Sequence, residues 1–568
     1  MQEWIDTIAG GFATWLILPL IGTGIYLTWR LRLVQMMHFK HSWRVIAGIY
    51  DDPNDTGDVN HLQALSAALS ATIGIGNIAG VATAIHFGGP GALFWMWVTA
   101  FLGMATKFSE ATLAMVYRKK HKDGSVSGGP MYYIEKGLGP KWKSLAVIFA
   151  GATIISSFGT GNAIQAFTVA DSMRADFGVP PWITGIVLAT LVALVILGGI
   201  KRIGVVASRL VPFMAAVYIL ACMFVIGLNI GEVPATFATI FHSAFTPQGA
   251  IGGFAGSTFF LALLWGVRRG IYSNESGQGS APIAHAAAKT EEPVREGTVA
   301  MIGPFIDTLV ICTLTGLTIL LSGAWSTPFP QLIEATAPTV ILADAQLLPG
   351  GRAADEDLFS GELTVRHGKI EQDVALVYSN GFLGKHNFII EGPDDEAVTI
   401  LSARLEVEEG KILAIYGDDN GSLDDLALIE GTALQNGSVL TSQAFRSVFA
   451  KHFGERAGRL GSWIVTFGVF LFAISTAISW SYYGDRAVVY LFGQKHVRVY
   501  RVIYVAVVFL ASNLALAVVW GFGDIALSIM ATPNLIALVL LAPKIVAWKK
   551  EYFARDHQPI SKAKWFKA

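Results

Sequence analysis

Two glycine-rich polar stretches break runs that are otherwise apolar: SATIGIGNIAG (Ser70 to Gly80) and RRGIYSNESGQGS (Arg268 to Ser280). They carry Thr72, Asn77, Ser273, Asn274 and Ser276, which supply neutral oxygens beside backbone that glycine leaves free to unwind. Unwound backbone at membrane depth strands N–H and C=O groups, and lipid tolerates that only where they line a cavity. A half-helix N-terminus favours a carboxylate, while bare carbonyls with hydroxyls favour Na⁺. A zwitterion travelling with a cation fits both. Two plainer readings compete. Gly74-Ile75-Gly76-Asn77-Ile78-Ala79 matches the dinucleotide fingerprint G-x-G-x-x-A, but that motif needs a strand before it, and here it lies inside an apolar span. Gly76 and Gly80 also form a small-xxx-small pair that lets helices approach closely, which does not exclude a binding role.

Ionisable residues inside apolar runs are expensive and usually functional. Lys107 and Glu110 are one helical turn apart, in reach of each other near the cytoplasmic end of their span. Arg269 and Glu275 flank the second break, as a gate or a brace. Asp307 lies well inside its span and is the best placed for a proton-linked role. A structural pair is the plain alternative for all of these. GTGNAIQAF (Gly159 to Phe167) puts Asn162 and Gln165 on one helix face. Cys222 and Cys312 sit in apolar runs and suggest neither a disulfide framework nor a metal site.

The elements that must position these residues are membrane spans. The chain has 568 residues, 53% hydrophobic and 15% charged, against about a quarter charged in soluble domains. Eleven apolar stretches approach the twenty or so residues a crossing helix needs, near 11–34, 62–87, 91–117, 143–172, 182–200, 205–229, 250–288, 297–325, 461–484, 499–520 and 523–548. The acidic N-terminus before the first argues for a retained helix, not a cleaved signal. Lys and Arg cluster in alternate loops: Arg30 to Arg44, Arg118 to Lys136, Lys201 to Arg209, Lys289 to Arg295, Arg486 to Arg501, and the tail with Lys549 and Lys562. By the positive-inside rule the N-terminus is outside and the C-terminus cytoplasmic. The domains are then a first transmembrane part, 1–327, an insertion, 328–458, and a second transmembrane part with its tail, 459–568.

The insertion is acidic, with pairs such as Asp394–Asp395, and falls on the outer side. Polar and apolar residues alternate in GELTVRHGKI (Gly361 to Ile370) and from Ala397 to Gly417, and Gly392-Pro393-Asp394 marks a turn, so a small β-rich domain is expected. A solvated decoration, a lid over the outer entrance and a docking module for an extracytoplasmic partner all remain open. There is no spaced calcium-loop motif and no nucleophile–base constellation; His367 and His386 are isolated.

Four separated motifs carry a family resemblance: GGPGALFWMWVTAFLG (Gly88 to Gly103), SGGPMYYIEKGLG (Ser127 to Gly139), the run Arg268 to Gly297, and AISTAISWSYYGDR (Ala473 to Arg486). In order and spacing the chain, apart from its insertion, resembles the alanine/glycine:cation symporter family. That resemblance implies an all-α polytopic protein of the LeuT-type fold: one extra N-terminal helix, then a 5+5 inverted-repeat core with its first and sixth helices broken. It implies import of alanine or glycine with Na⁺ by alternating access across a bacterial inner membrane, with no organic cofactor, no nucleic-acid partner and no enzymatic activity. Proton coupling, or a sensor built on the same scaffold, are the alternatives. By resemblance the backbone of Thr72, Ile75 and Gly76 faces substrate and ions, and Asn77 offers its amide. Ile271, Ser273 and Asn274 line the other side, Gln165 is a polar contact, Phe167 a cap, and Trp480 sets the pocket's size. The sodium site of such a fold would use carbonyls near Ser70 and Ile73 with the hydroxyls of Ser475 and Thr476.

Overall fold

The computed structural model describes residues 2–52, 54–121, 125–247, 256–348, 353–378, 381–391, 398–417, 421–424, 427–513 and 516–559. The expected turn at Gly392-Pro393-Asp394, the pair Asp394–Asp395 and Lys562 lie outside them. Helices dominate. After α1 (Gln2–Arg30) the chain turns through a short helix, Phe39–Ile46, into α2 (His61–Thr72). Asn60 caps α2 by accepting from Gln63 N, while the Gln63 side chain accepts from Asn60 N, which satisfies two orphan donors reciprocally. The helix ends at Ile73, whose ψ of 87° is non-helical, and resumes through a π turn, Gly76–Gly80, into α3 (Val81–Gly88). The two pieces are bent by 53°. That kink is the first interruption read from the sequence, and π turns of this kind favour functional sites.

Next come α4 (Gly91–Val116), α5 (Lys143–Phe158), a π turn at Gly159–Ala163, α6 (Ile164–Phe177), α7 (Pro181–Ile196) and α8 (Gly199–Leu228). The second break separates α9 (Phe259–Asn274) from α10 (Ala281–His285). Glu275 ends α9 in the left-handed region at φ 55°, unusual for a side chain of that size. A long helix, α11, spans Pro293–Ser322 with a π stretch at Phe305–Cys312. Among the described residues five helices are long and apolar enough to cross a membrane, six if the bent pair counts as one. Leu16–Arg30 and Pro181–Ile196 are shorter apolar helices. The chain is a multi-pass membrane protein.

Strands follow α11. β1 (Phe329–Glu334) pairs antiparallel with β2 (Ala427–Ala433), from Phe329 opposite Ala433 to Glu334 opposite Leu428. Between them the chain builds the rest of a four-stranded sheet and a seven-stranded one. Burial alternates along Ala403–Glu408, with Ala403, Leu405 and Val407 inward against Leu363, Val365 and Ile415, the period of a half-buried strand. The structure differs from expectation at the far end of this region. Residues 437–453, placed in the insertion by their lack of a long apolar run, form helix α12 (Gly437–Phe453), which packs on α13 (Glu455–Phe492) and on the first break. An interfacial helix needs only one apolar stripe, here Leu440, Ala444, Phe445 and Val448, so hydropathy alone could not separate it from the domain before it. The bundle closes with α14 (Val497–Ala511) and α15 (Leu516–Phe553).

Candidate functional site

The two breaks meet in the interior. Gly76 stands so close to the second break that a Cβ there would lie 3.2 Å from the Tyr272 ring and 3.3 Å from Ser273 Cα. Asn77 organises the junction. Its side-chain oxygen accepts from Gly74 N at 2.9 Å, which stops the unwound turn from closing as helix. Its amide nitrogen donates to Asp307 Oδ1 at 2.7 Å and lies 3.1 Å from Ser273 Oγ. Ser273 and Thr308 both donate to Asp307 Oδ2, at 2.8 and 2.7 Å. Asp307 is therefore a fully buried carboxylate ringed by donors from α9, α11 and the first break, which is what a charge away from water requires.

On the other side of the first break stands α13. Ser70 Oγ is 2.7 Å from Ser475 Oγ and donates to the Ser475 carbonyl at 2.8 Å. One residue on, Thr476 Oγ1 is buried with no hydrogen-bond partner among the described residues, and so is Gln165 Oε1. Both face Gly74: a Cβ there would overlap Thr476 Oγ1 and come within 3.6 Å of Gln165 Oε1. Orphaned buried acceptors are rare in native structures, and two of them beside exposed backbone fit a desolvated cation.

The second break is braced from several helices. Trp480 Nε1 donates to Glu275 Oε1 at 2.9 Å and Ser280 Oγ to Oε2 at 2.5 Å. Gly277 N donates to Glu110 Oε1 at 3.1 Å, as does Asn534 Nδ2 at 2.6 Å. Lys107 and Glu110, expected within reach of each other, are both buried, and Glu110 also holds the second break through Gly277 N. The Glu275 carboxylate is taken by Trp480 and Ser280, while Arg269 lies over the rings of Trp265 and Tyr272.

The other expected site residues fall as follows. Ile73 and Ile75 are fully buried at the first break. Thr72 Oγ1 bonds back to Leu69 O at 3.3 Å, leaving its backbone, not its hydroxyl, at the break. Ile271 supplies a carbonyl that accepts from Gln278 Nε2 at 2.9 Å, and Asn274 Oδ1 caps Ser276 N at 3.0 Å. Gln165 Nε2 donates to Thr160 O at 3.1 Å. Trp480 is buried against Gly161, where a Cβ would overlap the indole. Phe167 is half-buried on α6, outside this network. Sequence reasoning missed Thr308, Asn534 and Thr441, which donates from α12 to Ile78 O at 3.1 Å. No local signal marks them, because each acquires its role only through packing.

Two interrupted helices that meet at a buried polar centre are an arrangement found in membrane transporters. The chain is a member of the sodium:alanine symporter family, which it matches over residues 1–345 and 427–567. It is 38% identical over 540 residues to the sodium/alanine symporter AgcS of Methanococcus maripaludis, covering 95% of this chain and 94% of that one. It is 42% identical over 400 residues to the "Probable sodium/glutamine symporter GlnT" of Bacillus subtilis, covering 67% and 82%. Among solved structures, MhsT in complex with L-phenylalanine aligns with a TM-score of 0.47 at 10% identity, over 87% of this chain and 99% of that one.

Proposed function

We propose that this protein imports a small neutral amino acid, alanine or glycine, together with Na⁺ by alternating access. The observation that carries the reading is the pair of orphaned acceptors, Thr476 Oγ1 and Gln165 Oε1, converging on Gly74 where the first helix is unwound. Na⁺ binds among Ser70, Ile73, Ser475 and Thr476. The amino acid lies between the breaks, against Thr72, Ile75, Gly76 and Asn77 on one side and Ile271, Ser273 and Asn274 on the other. Gln165 reaches it as a polar contact, Phe167 covers it, and Trp480 limits its size. The spans number eleven, one extra helix and a 5+5 core, with the N-terminus outside and the C-terminus in the cytoplasm of a bacterial inner membrane. The strand insertion is extracytoplasmic. Names of relatives support a cation and an amino acid, with alanine in one and glutamine in another.

The drive is sufficient. One charge crossing about 100 mV yields about 2.3 kcal/mol, enough for a roughly fifty-fold gradient. Proton coupling is the second reading, favoured by Asp307, a buried carboxylate at the junction itself. Proteoliposomes holding the purified protein decide between them. Labelled alanine accumulating only under an inward Na⁺ gradient supports the first reading. Accumulation under a pH gradient without Na⁺ supports the second. No uptake of alanine, glycine or glutamine under either gradient, by folded protein, sinks both and favours a sensor.

A further inference from the structure

Away from the two breaks, at the end of the bundle where the loops are basic, two histidines share one carboxylate. His61 opens α2, the inner half of the first broken helix, and His285 closes α10, the inner half of the second. Glu296 sits in the first turn of α11. His61 Nδ1 is bonded to Glu296 Oε2, and His285 Nδ1 to Oε1 at 2.5 Å. All three side chains are at most 1% exposed. The transport reading uses none of them.

The backbone beside them is joined too. Asp58 N donates to Ala287 O at 2.8 Å and Lys289 N to Val59 O at 2.7 Å, so the lead into α2 and the exit from α10 form a one-residue parallel bridge, Val59 to Ala288. Gly57 permits it: its φ is +151°, and a Cβ there would overlap the Ala288 carbonyl. Arg118, from the end of α4, staples both segments, donating to Ala288 O at 2.8 Å, Thr290 O at 2.7 Å and Thr56 O at 3.1 Å.

We infer that Glu296 is the pin of the cytoplasmic gate, holding the inner halves of both broken helices shut until cargo is released. This rests on the transport reading above. A carrier with one central site must close each side in turn, and α2 and α10 pack against each other between that site and the basic face. Each oxygen of Glu296 holds one half-helix. A buried carboxylate is tolerated only while its donors are in place, so loss of either histidine undermines the other contact. The latch therefore parts as a unit. Glu296 is a positioning residue that touches neither cargo nor ion.

The test uses the full chain in nanodiscs, with hydrogen exchange read by mass spectrometry and uptake measured in proteoliposomes. In Glu296→Ala, amides of residues 57–63 and 284–290 exchange at least about tenfold faster, while those of the strand insertion keep their wild-type rates. A loosened inner gate lowers the outward-facing population, so the external KM for alanine rises about threefold or more by the population-shift relation. Glu296→Gln can still accept from one imidazole and donate to the other, and it restores most of both readouts. Unchanged exchange at both segments in Glu296→Ala overturns the inference. So does acceleration spread evenly through the bundle, or no rescue by glutamine. If Glu296→Ala does not fold, His285→Gln, which keeps a donor, and His285→Ala take its place with the same expectations. Exchange needs no cargo, so a protein that moves no alanine yet exchanges as described would fail the transport reading and keep the latch.

Discussion

At the residue scale the site depends on oxygens left without partners. Thr476 Oγ1 has no hydrogen-bond partner among the described residues, although other helical hydroxyls bond back to their own backbone, as Thr83 does to Ala79 O at 2.8 Å. If that oxygen completes a Na⁺ shell, Thr476→Ala removes a ligand worth about 1–2 kcal/mol. The Na⁺ concentration for half-maximal uptake then rises about tenfold or more, since 1.4 kcal/mol is a factor of ten. Thr476→Ser keeps the ligand and stays near wild type. Sodium titration of alanine uptake reads both, and equal curves for the two variants remove Thr476 from the ion site. The kink of the first helix was legible beforehand, because glycine with polar residues interrupts an apolar run there. The position of Asp307 was not. Its charge marked it, but which side chains ring it depends on the rotation of α11 relative to α2 and α9, and periodicity within one helix does not fix that. Glu296 and its histidines escaped for the same reason: they lie 235 and 11 residues apart in the chain.

At the scale of elements, irregular helix recurs where helices cross. Three of the four π segments among the described residues, Gly76–Gly80, Gly159–Ala163 and Phe305–Cys312, lie beside Asn77, Gln165 and Asp307; the fourth is Ile134–Leu138. Glycine forecast the first; the second was read as regular helix, and Phe305–Cys312 contains no glycine to mark it. A different element makes a pH-dependent contact outside the membrane. The short helix Phe39–Ile46 lies against the end of α15, with His41 Nε2 2.9 Å from Tyr552 Oη and His38 stacked on Phe553 at 3.5 Å. Burial holds both imidazoles at about 4, and neighbouring positive groups add to it: Lys549 at His38, and His557, His38, Arg295 and Arg44 at His41. Freed rings take up protons near 6.5. The docked state therefore binds fewer protons than the released one, and its advantage, whole above pH 6.5, is lost as pH falls towards 4. Limited proteolysis should cut after residues 549–555 progressively faster across that interval. His41→Gln should weaken the dependence and leave the share of His38, and a profile unchanged by that substitution would falsify the assignment to His41.

At the scale of the molecule, the family match skips residues 346–426, which lie within the strand-built region, and resumes at β2 and α12. The insertion was legible as alternating sequence, but its far boundary was not, because α12 is too polar to look like a span. The boundary matters for its removal. Glu334 faces Leu428 across the β1–β2 ladder, so residues 335–427 can be replaced by Asn-Gly, the two-residue turn that suits a hairpin. Uptake should stay within about twofold, since no site residue is lost and surface loops tolerate such changes. Extending the deletion to residue 445 removes Thr441 and its bond to Ile78 at the first break, and uptake should fall at least about tenfold, the scale of losing one buried hydrogen-bonded contact. Proteoliposome uptake by the two deletions side by side checks this; equal activity would mean that α12 does not support the break.

The paired strands β1 and β2 also have a mechanical meaning. A domain on one strand swivels, but a domain on a hydrogen-bonded ribbon resists both twist and sway, because turning it shears six residue pairs at once. The strand domain therefore works as a fixed pointer. An antibody fragment bound to its seven-stranded sheet would show the orientation of the bundle in electron micrographs, where a helical protein embedded in a lipid disc is otherwise nearly featureless.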